Sequence, residues 1–170
     1  MSEQTIVLVK PDGIQRGLVG EIITRFERKG LKLVGIKMIR VDDTTLEEHY
    51  SHIKDKPFFA DIKKFMKRSP IIALVLEGID AVEVVRTLAG PTLGRVAPSG
   101  TIRGDFSMSI QSNVIHASDS KEVAESEIKR FFDDLELFDY YKDEYFHIYG
   151  LEEMPDKYKT HADEAKKHVD

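Results

Sequence analysis

Residues 113–132, NVIHASDSKEVAESEIKRFF, change their periodicity partway along. Val114 to Ala117 is a short apolar strand candidate, and Ser118-Asp119-Ser120 then leads into a helix from about Lys121 to Phe132. The stretch reads as a strand feeding a capped helix, and the same alternation runs back through the chain. Upstream lies a loop with Pro91, Gly94, Pro98 and Gly100, preceded by a helix carrying Ala81, Val84, Val85 and Leu88. Asp80 with Glu83 is a cap pattern for that helix, and Gly90 ends it. Ile71 to Leu76 is nearly continuous apolar sequence, as in a central strand covered on both faces.

Nearer the amino terminus, Thr5 to Val9 is a β-branched run closed by the turn signal Lys10-Pro11-Asp12-Gly13. Val19, Ile22, Ile23 and Phe26 recur at helical spacing up to Gly30. Leu31 to Val41 reads as a second strand whose phase slips at Gly35, which predicts a bulge. Thr44 with Glu47 is a capping-box pattern for a short helix bearing His49 and Tyr50. Pro57 opens another helix, with Phe58, Ile62, Phe65 and Met66 on one stripe. The order is strand, helix, strand, helical hairpin, strand, helix, loop, strand, helix. It predicts an α+β fold with a ferredoxin-like split βαβ core, a four-stranded antiparallel sheet covered by helices. One domain is expected over residues 1–153, and residues 154–170 read as a polar C-terminal extension, partly helical from Ala162 to His168.

Composition narrows the function. With 41% hydrophobic and 32% charged residues among 170, the chain is globular in type, and no apolar run approaches the ~20 residues of a membrane span. Cysteine is absent, which excludes disulfides and thiolate-ligated zinc. A cytoplasmic address follows as the default. The net charge of −5 disfavours nucleic acid as a partner, so an anionic substrate must be held by a few local cations.

Chemistry concentrates in the opening stretch. His116 sits at a strand end just before a capped helix, where a neutral imidazole is a nucleophile near neutral pH. Alone, such a histidine is more often packed or solvated. Glu127 alters the balance: with Val123 at zero on a helical wheel it falls at about 40°, inside the apolar half occupied by Ala124, Ile128 and Phe131. A carboxylate on a buried face costs several kcal/mol, on the order of a lost ion pair, unless something receives it. It either orients His116, with help from Ser118, or snorkels to a helix edge or pairs with an arginine. Lys10, Arg86 and Arg103 are the candidate cations for phosphate oxygens, although each taken singly is more often a surface residue. Gly13, Gly17 and Gly20 lack the closing Gly-Lys-Ser/Thr of a P-loop, and His49 with His52 reads as a solvated helix face. Arg103-Gly104-Asp105 resembles an adhesion tripeptide by chance alone.

Val9-Lys10-Pro11-Asp12-Gly13, Lys56-Pro57-Phe58-Phe59, Gly100 to Asp105, and His116 with Ser118-Asp119-Ser120 together resemble the nucleoside diphosphate kinases. The resemblance runs in register from about residue 4 to 132. It implies a phosphotransferase that moves the terminal phosphate of a nucleoside triphosphate, such as ATP, to a nucleoside diphosphate, such as GDP. The implied route is ping-pong, through a phosphohistidine on His116. Glu127 and Ser118 match the residues that orient the ring. Lys10, Tyr50, Arg86, Thr92, Arg103 and Asn113 match phosphate and ribose contacts, and Phe58 with Ile62 the clamp on the base. Mg2+ is implied as cofactor, carried mainly by the nucleotide phosphates with no dedicated protein ligands. A homo-oligomer, a hexamer, is implied as the assembly. Ala117 stands where the family commonly has Gly, and Leu93-Gly94 where many members have Asn-Pro. The competing reading is a catalytically silent relative that binds nucleotide or a partner protein as a regulatory module.

Overall fold

The apolar run at the amino terminus forms strand β1 (Ser2–Val9) of a computed structural model that describes residues 2–159. After it come α1 (Pro11–Gln15), α2 (Val19–Lys29), β2 (Lys32–Ile39), α3 (Asp43–His49), α4 (Phe59–Met66) and β3 (Ile71–Ile79). The chain continues through α5 (Ala81–Ala89), α6 (Ile102–Phe106), β4 (Ile115–Ala117), α7 (Lys121–Phe131) and α8 (Tyr145–Ile148). The strands make one four-stranded sheet in the order β2-β3-β1-β4, with every neighbouring pair antiparallel. This is the α+β, ferredoxin-like arrangement that the element order predicts.

The period of two along β1 places its side chains in two cores. Val7 and Val9 pack with Ile22 and Phe26 of α2 and Val85 of α5 on one face of the sheet. Ile6 and Leu8 pack with Leu46 of α3, Phe65 of α4 and Phe131 of α7 on the other. Because both faces are covered, Ile6 through Val9 are all fully buried, as is most of β3. That explains why neither strand shows hydrophobic alternation in the sequence.

The expected bulge is present as a register shift between Leu33 and Gly35. Gly35 is required there, since a Cβ would lie 2.8 Å from Leu137 Cδ2 and 3.1 Å from Phe132 Cε1. Gly30, at φ 104°, ends α2 in the left-handed conformation that glycine adopts without penalty. Two caps differ from their sequence reading. Asp42, rather than Thr44, caps α3 by accepting the Thr45 N–H at 2.8 Å. Asp80 makes no side-chain cap to α5, and Glu3 of β1 receives the Val82 N–H at 3.0 Å instead. The fourth helix begins at Phe59, two residues beyond Pro57.

The acidic, aromatic stretch after α7 folds back over the β2 edge, where Phe138 N–H donates to Val34 O at 2.8 Å. Fully buried Lys32 donates to Asp139 at 2.7 Å, and Lys157 reaches the same carboxylate at 2.9 Å, so the two lysines pull Asp139 down to about 2. Met154 and Tyr158, in the segment read as a polar tail, are buried with Tyr145 in a small third cluster. Three apolar residues spaced over fourteen positions carry too little periodicity for a sequence reading to find. The helical expectation for Ala162 to His168 lies outside the described residues.

Candidate active site

Strand β4 lies at the sheet edge, and its register pairs His116 with Leu8. Cross-strand partners share a face, so the imidazole projects toward α3 and α7 while Ile115 and Ala117 point into the opposite core. The strand is short because the backbone turns sharply before it. Val114 is held at φ 74°, a conformation costing a β-branched residue on the order of 1–3 kcal/mol, and stays there because both of its backbone groups are tied. Its carbonyl accepts the Lys10 N–H at 2.8 Å and its N–H donates to Asp12 Oδ2 at 3.0 Å.

The Lys10-Pro11-Asp12-Gly13 turn thus acts as a brace for the histidine strand. Gly13 belongs to the same device, because a Cβ would meet Val9 Cγ1 at 2.8 Å and the Val114 carbonyl oxygen at 3.1 Å. Pro11 starts the short helix α1, where its missing N–H costs nothing. Sequence reasoning found the turn but not the roles of Asp12 and Gly13, which depend on a strand a hundred residues away.

Glu127 is buried on the inner face of α7, and its partners are His116 and Ser118. The His116 Nε2 lies 2.9 Å from both carboxylate oxygens, and the Ser118 hydroxyl donates to Oε2 at 2.6 Å. Burial by itself would raise this carboxyl, but the His116 hydrogen bond and charge and the Ser118 bond outweigh it and hold it below the usual range. An ionised carboxylate only accepts, so Nε2 carries the ring proton and Nδ1 keeps its lone pair. His116 is the part of this trio that reaches the adjoining cavity.

That cavity, of about 280 Å³, is lined by Lys10, Tyr50, Arg86, Thr92, Arg103, Asn113 and His116. Three cations and a single carboxylate, Asp119, line it among the described residues, so the site is locally positive in a chain of net charge −5. Lys10, Asn113, Arg103 and Arg86 are held by their neighbours. Lys10 donates to Asn113 Oδ1 at 2.6 Å, and Asn113 in turn donates to the carbonyls of Thr92 and Ile110. Arg103 is anchored on the carbonyls of Gly90 at 2.7 Å and Ile115 at 2.8 Å. Arg86 contacts Asp119. Burial, reinforced by Arg103, lowers Lys10 to about 8. Burial also lowers Arg103 and raises Tyr50.

Phe58 and Ile62 sit apart from Arg86 and Arg103, on a second, mostly apolar cavity of about 500 Å³ that shares Lys10, Tyr50, Thr92 and Ile110 with the first. Phe58 is half exposed. The two cavities together offer a cationic end beside the imidazole and an apolar end beside an aromatic ring.

His49 departs from its sequence reading. It is buried rather than solvated, because Leu46 and His49 share the face of α3 turned to the core, whereas His52 lies on the exposed turn that follows. Its ring stacks edge-on against His116 with centroids 4.5 Å apart, and Nδ1 comes within 3.3 Å of Glu127 Oε1. Burial, and the neighbouring His116, lower His49 to about 3 and keep it neutral. The three-residue spacing from Leu46 was the available signal. The Arg103-Gly104-Asp105 run is structural: Gly104 abuts the Pro98 carbonyl, and Asp105 caps Gly100 N–H at 2.8 Å and pairs with Arg25.

Residues 3–137 match a family model described as nucleoside diphosphate kinase. A curated relative of that name from Parabacteroides distasonis is 56% identical over 152 residues, 89% of this chain and 99% of that one. Among solved structures, a halophilic nucleoside diphosphate kinase from Halobacterium salinarum in complex with CDP superposes with a TM-score of 0.86 at 47% identity, covering 88% of this chain and 100% of that one. A transition-state mimic of the Borrelia burgdorferi enzyme with bound vanadate and ADP gives 0.80 at 40% identity, covering 86% and 96%.

Proposed function

The chain belongs to the nucleoside diphosphate kinase family, and from that premise we propose how its residues carry out the phosphotransfer. The enzyme passes the terminal phosphate of a nucleoside triphosphate to a nucleoside diphosphate in two half-reactions. The observation that carries the residue assignment is the hydrogen-bonded His116: its Nε2 faces an ionised, buried Glu127, which leaves Nδ1 free as the nucleophile of a ring that lines the cavity.

Nδ1 attacks the terminal phosphorus in line, and the bond to the bridging oxygen breaks to release the nucleoside diphosphate. The positive charge that develops on the ring is met by Glu127 through Nε2–H, with Ser118 holding the carboxylate in place. Lys10, Arg86 and Arg103 are assigned to the charge on the phosphate oxygens, and Asn113 to positioning Lys10 and the ribose. A second nucleoside diphosphate enters the same cavity, and its terminal oxygen takes the phosphoryl group from His116. Tyr50 and Thr92 complete the wall. The donor set fits a divalent ion held by the nucleotide rather than by the protein, since Asp119 is the sole carboxylate of this chain lining the cavity among the described residues. Mg2+ bound to the phosphates would neutralise charge there. Labelled ATP with magnesium tests the reading: the protein should take up an acid-labile, alkali-stable label and yield it to added GDP.

The state of Lys10 gives a pH dependence. Lysine is cationic below its pKa and neutral above it, so with a value of about 8 the free enzyme loses a phosphate-binding charge as pH rises through 8. The kcat/KM profile should fall on the alkaline side by about tenfold per pH unit above that point, since this ratio reports free-enzyme groups. In Lys10→Arg the alkaline limb should vanish; a limb unmoved in that variant would assign it elsewhere.

Phe58 and Ile62 are assigned to the base. Stacking on an aromatic face reads no hydrogen-bond pattern and accepts every base, at about 1–3 kcal/mol each. Phe58→Ala should therefore raise KM roughly tenfold for purine and pyrimidine nucleotides alike with kcat little changed, and leave the melting temperature within a few degrees because the ring is half exposed. A loss confined to one base would contradict the assignment.

The same proposal extends to assembly and location. Ile36 and Met38 are exposed on β2, an edge strand, an apolar surface that supports a symmetric homo-oligomer, which we take as a hexamer. Light scattering gives the count directly. Among the described residues no helix is long and apolar enough to cross a membrane, and we place the enzyme in the cytoplasm.

A further inference from the structure

His49 is a buried polar side chain that the phosphotransfer does not use. Its exposure is 5%, and neither of its ring nitrogens has a hydrogen-bond partner, although Nδ1 stands 3.3 Å from Glu127 Oε1. Leaving a donor and an acceptor unmet in the interior is unfavourable, so such an orphan at a functional site calls for a role. Its surroundings supply one. Single donor atoms from His49, His116 and Glu127 all lie within 4.8 Å of one another, while Ser118 is committed to Oε2 and leaves Oε1 facing both imidazoles.

We propose that His49, Glu127 and His116 form a binding site for a zinc-type divalent cation, and that filling it switches the nucleophile off. Two imidazoles and one carboxylate are a zinc donor set, which places ligand atoms roughly 3.3–3.5 Å apart around the metal at bonds of about 2.0–2.1 Å. Two of the three separations, 2.9 Å and 3.3 Å, are already close to that, and the third, within 4.8 Å, closes with ring rotations that bring the donor atoms about 1.5 Å nearer. His49 and His116 both line the cavity, which provides the entry path and an open fourth position. Magnesium does not compete, because it prefers all-oxygen, octahedral surroundings.

The switch is a change of tautomer, and it rests on the assignment of Nδ1 as the attacking atom. Coordination consumes the Nε2 lone pair, so the proton that Nε2 gives to Glu127 in the metal-free site must leave it. A neutral imidazole keeps one proton, which passes through cavity solvent to Nδ1. No proton is gained or lost overall. Nδ1 becomes an N–H donor and no longer has a lone pair for phosphorus.

Co2+ serves as the visible probe. Titrating the nucleotide-free protein with Co2+ should produce a d–d absorption band that saturates at one equivalent, is bleached by Zn2+ and ignores excess Mg2+. His49→Phe, which keeps a ring against Tyr50 and Phe131, should weaken the binding on the order of 100-fold, and Glu127→Gln should do the same. With one equivalent of Zn2+ loaded, labelling from magnesium ATP should stop, return on chelation, and persist in His49→Phe. The site is refuted by a wild type with no saturable band, or by both variants binding as tightly as wild type. Continued labelling of the zinc-loaded protein refutes the switch. A metal-free wild type that takes no label would instead count against the assignment of His116, and the Co2+ titration, which needs no turnover, would still decide the site.

Discussion

His116→Ala should take no label from ATP and should lose phosphotransfer by about 10⁴-fold or more, because the one imidazole that Glu127 orients by a hydrogen bond is gone. Tyr50, Thr92 and Lys10 share the cavity, but the Tyr50 hydroxyl is pushed further from ionisation by burial and Lys10 is committed to Asn113. Nucleotide binding should survive, since the three cations and the apolar cavity of Phe58 do not depend on the imidazole. The fold should survive as well. His116 projects from a three-residue edge strand, and its removal leaves Glu127 still hydrogen-bonded by Ser118. The penalty for the half-satisfied carboxylate is about 1–3 kcal/mol. Equal labelling of the variant and the wild type would end the assignment, and a variant that does not bind nucleotide would show that the histidine had been structural.

How much of this was legible in the sequence follows from how local each signal is. The strands could be read because Ile6–Val9 and Ile71–Leu76 are apolar without interruption, the mark of a sheet covered on both faces, and Gly35 announced its bulge by breaking phase. The short helices α1, α6 and α8 could not. Pro11-Asp12-Gly13 is a turn signal in isolation, and it becomes helical because Asp12 and Gly13 are held against Val114. Ile102–Phe106 is a single turn capped by Thr101, too short to show a period. The Asp80 cap failed for a related reason: α5 is capped by Glu3 from another strand, which no window around Asp80 contains.

The site divides in the same way. Glu127 stood out because a carboxylate on an apolar face is a conflict visible within one helix, and the structure resolves it with His116 and Ser118. Lys10, Arg86 and Arg103 come from three separate segments, and nothing in their spacing brings them to one cavity; residue type made each a candidate, and only the family resemblance joined them. His49 was misjudged because the helix that carries it is only two turns long and its neighbours are charged. Its burial depends on α7 packing over α3, a contact set by the chain's far end.

Glu127 itself gives the second large effect. Replacing it with glutamine preserves volume and the capacity to hydrogen-bond but removes the charge, and an amide can donate to Nε2 as readily as it accepts from it. The carboxylate tolerates one tautomer; the amide tolerates both. A fraction of His116 then carries its proton on Nδ1, where it cannot attack, and the imidazolium-like transition state loses its counter-charge in a buried setting. Turnover should fall by roughly 10²-fold, with KM for the nucleotide within about threefold of wild type because Glu127 does not line the cavity. Glu127→Ala should be slower still and less stable, since it also leaves a cavity beside His49 and frees the Ser118 hydroxyl in the interior, at about 1–3 kcal/mol. Pre-steady-state labelling separates the possibilities. A slowed first half-reaction with normal nucleotide affinity is the signature of a misoriented nucleophile, whereas an unchanged labelling rate in Glu127→Gln would mean that the carboxylate holds α7 to the sheet and does nothing for the ring.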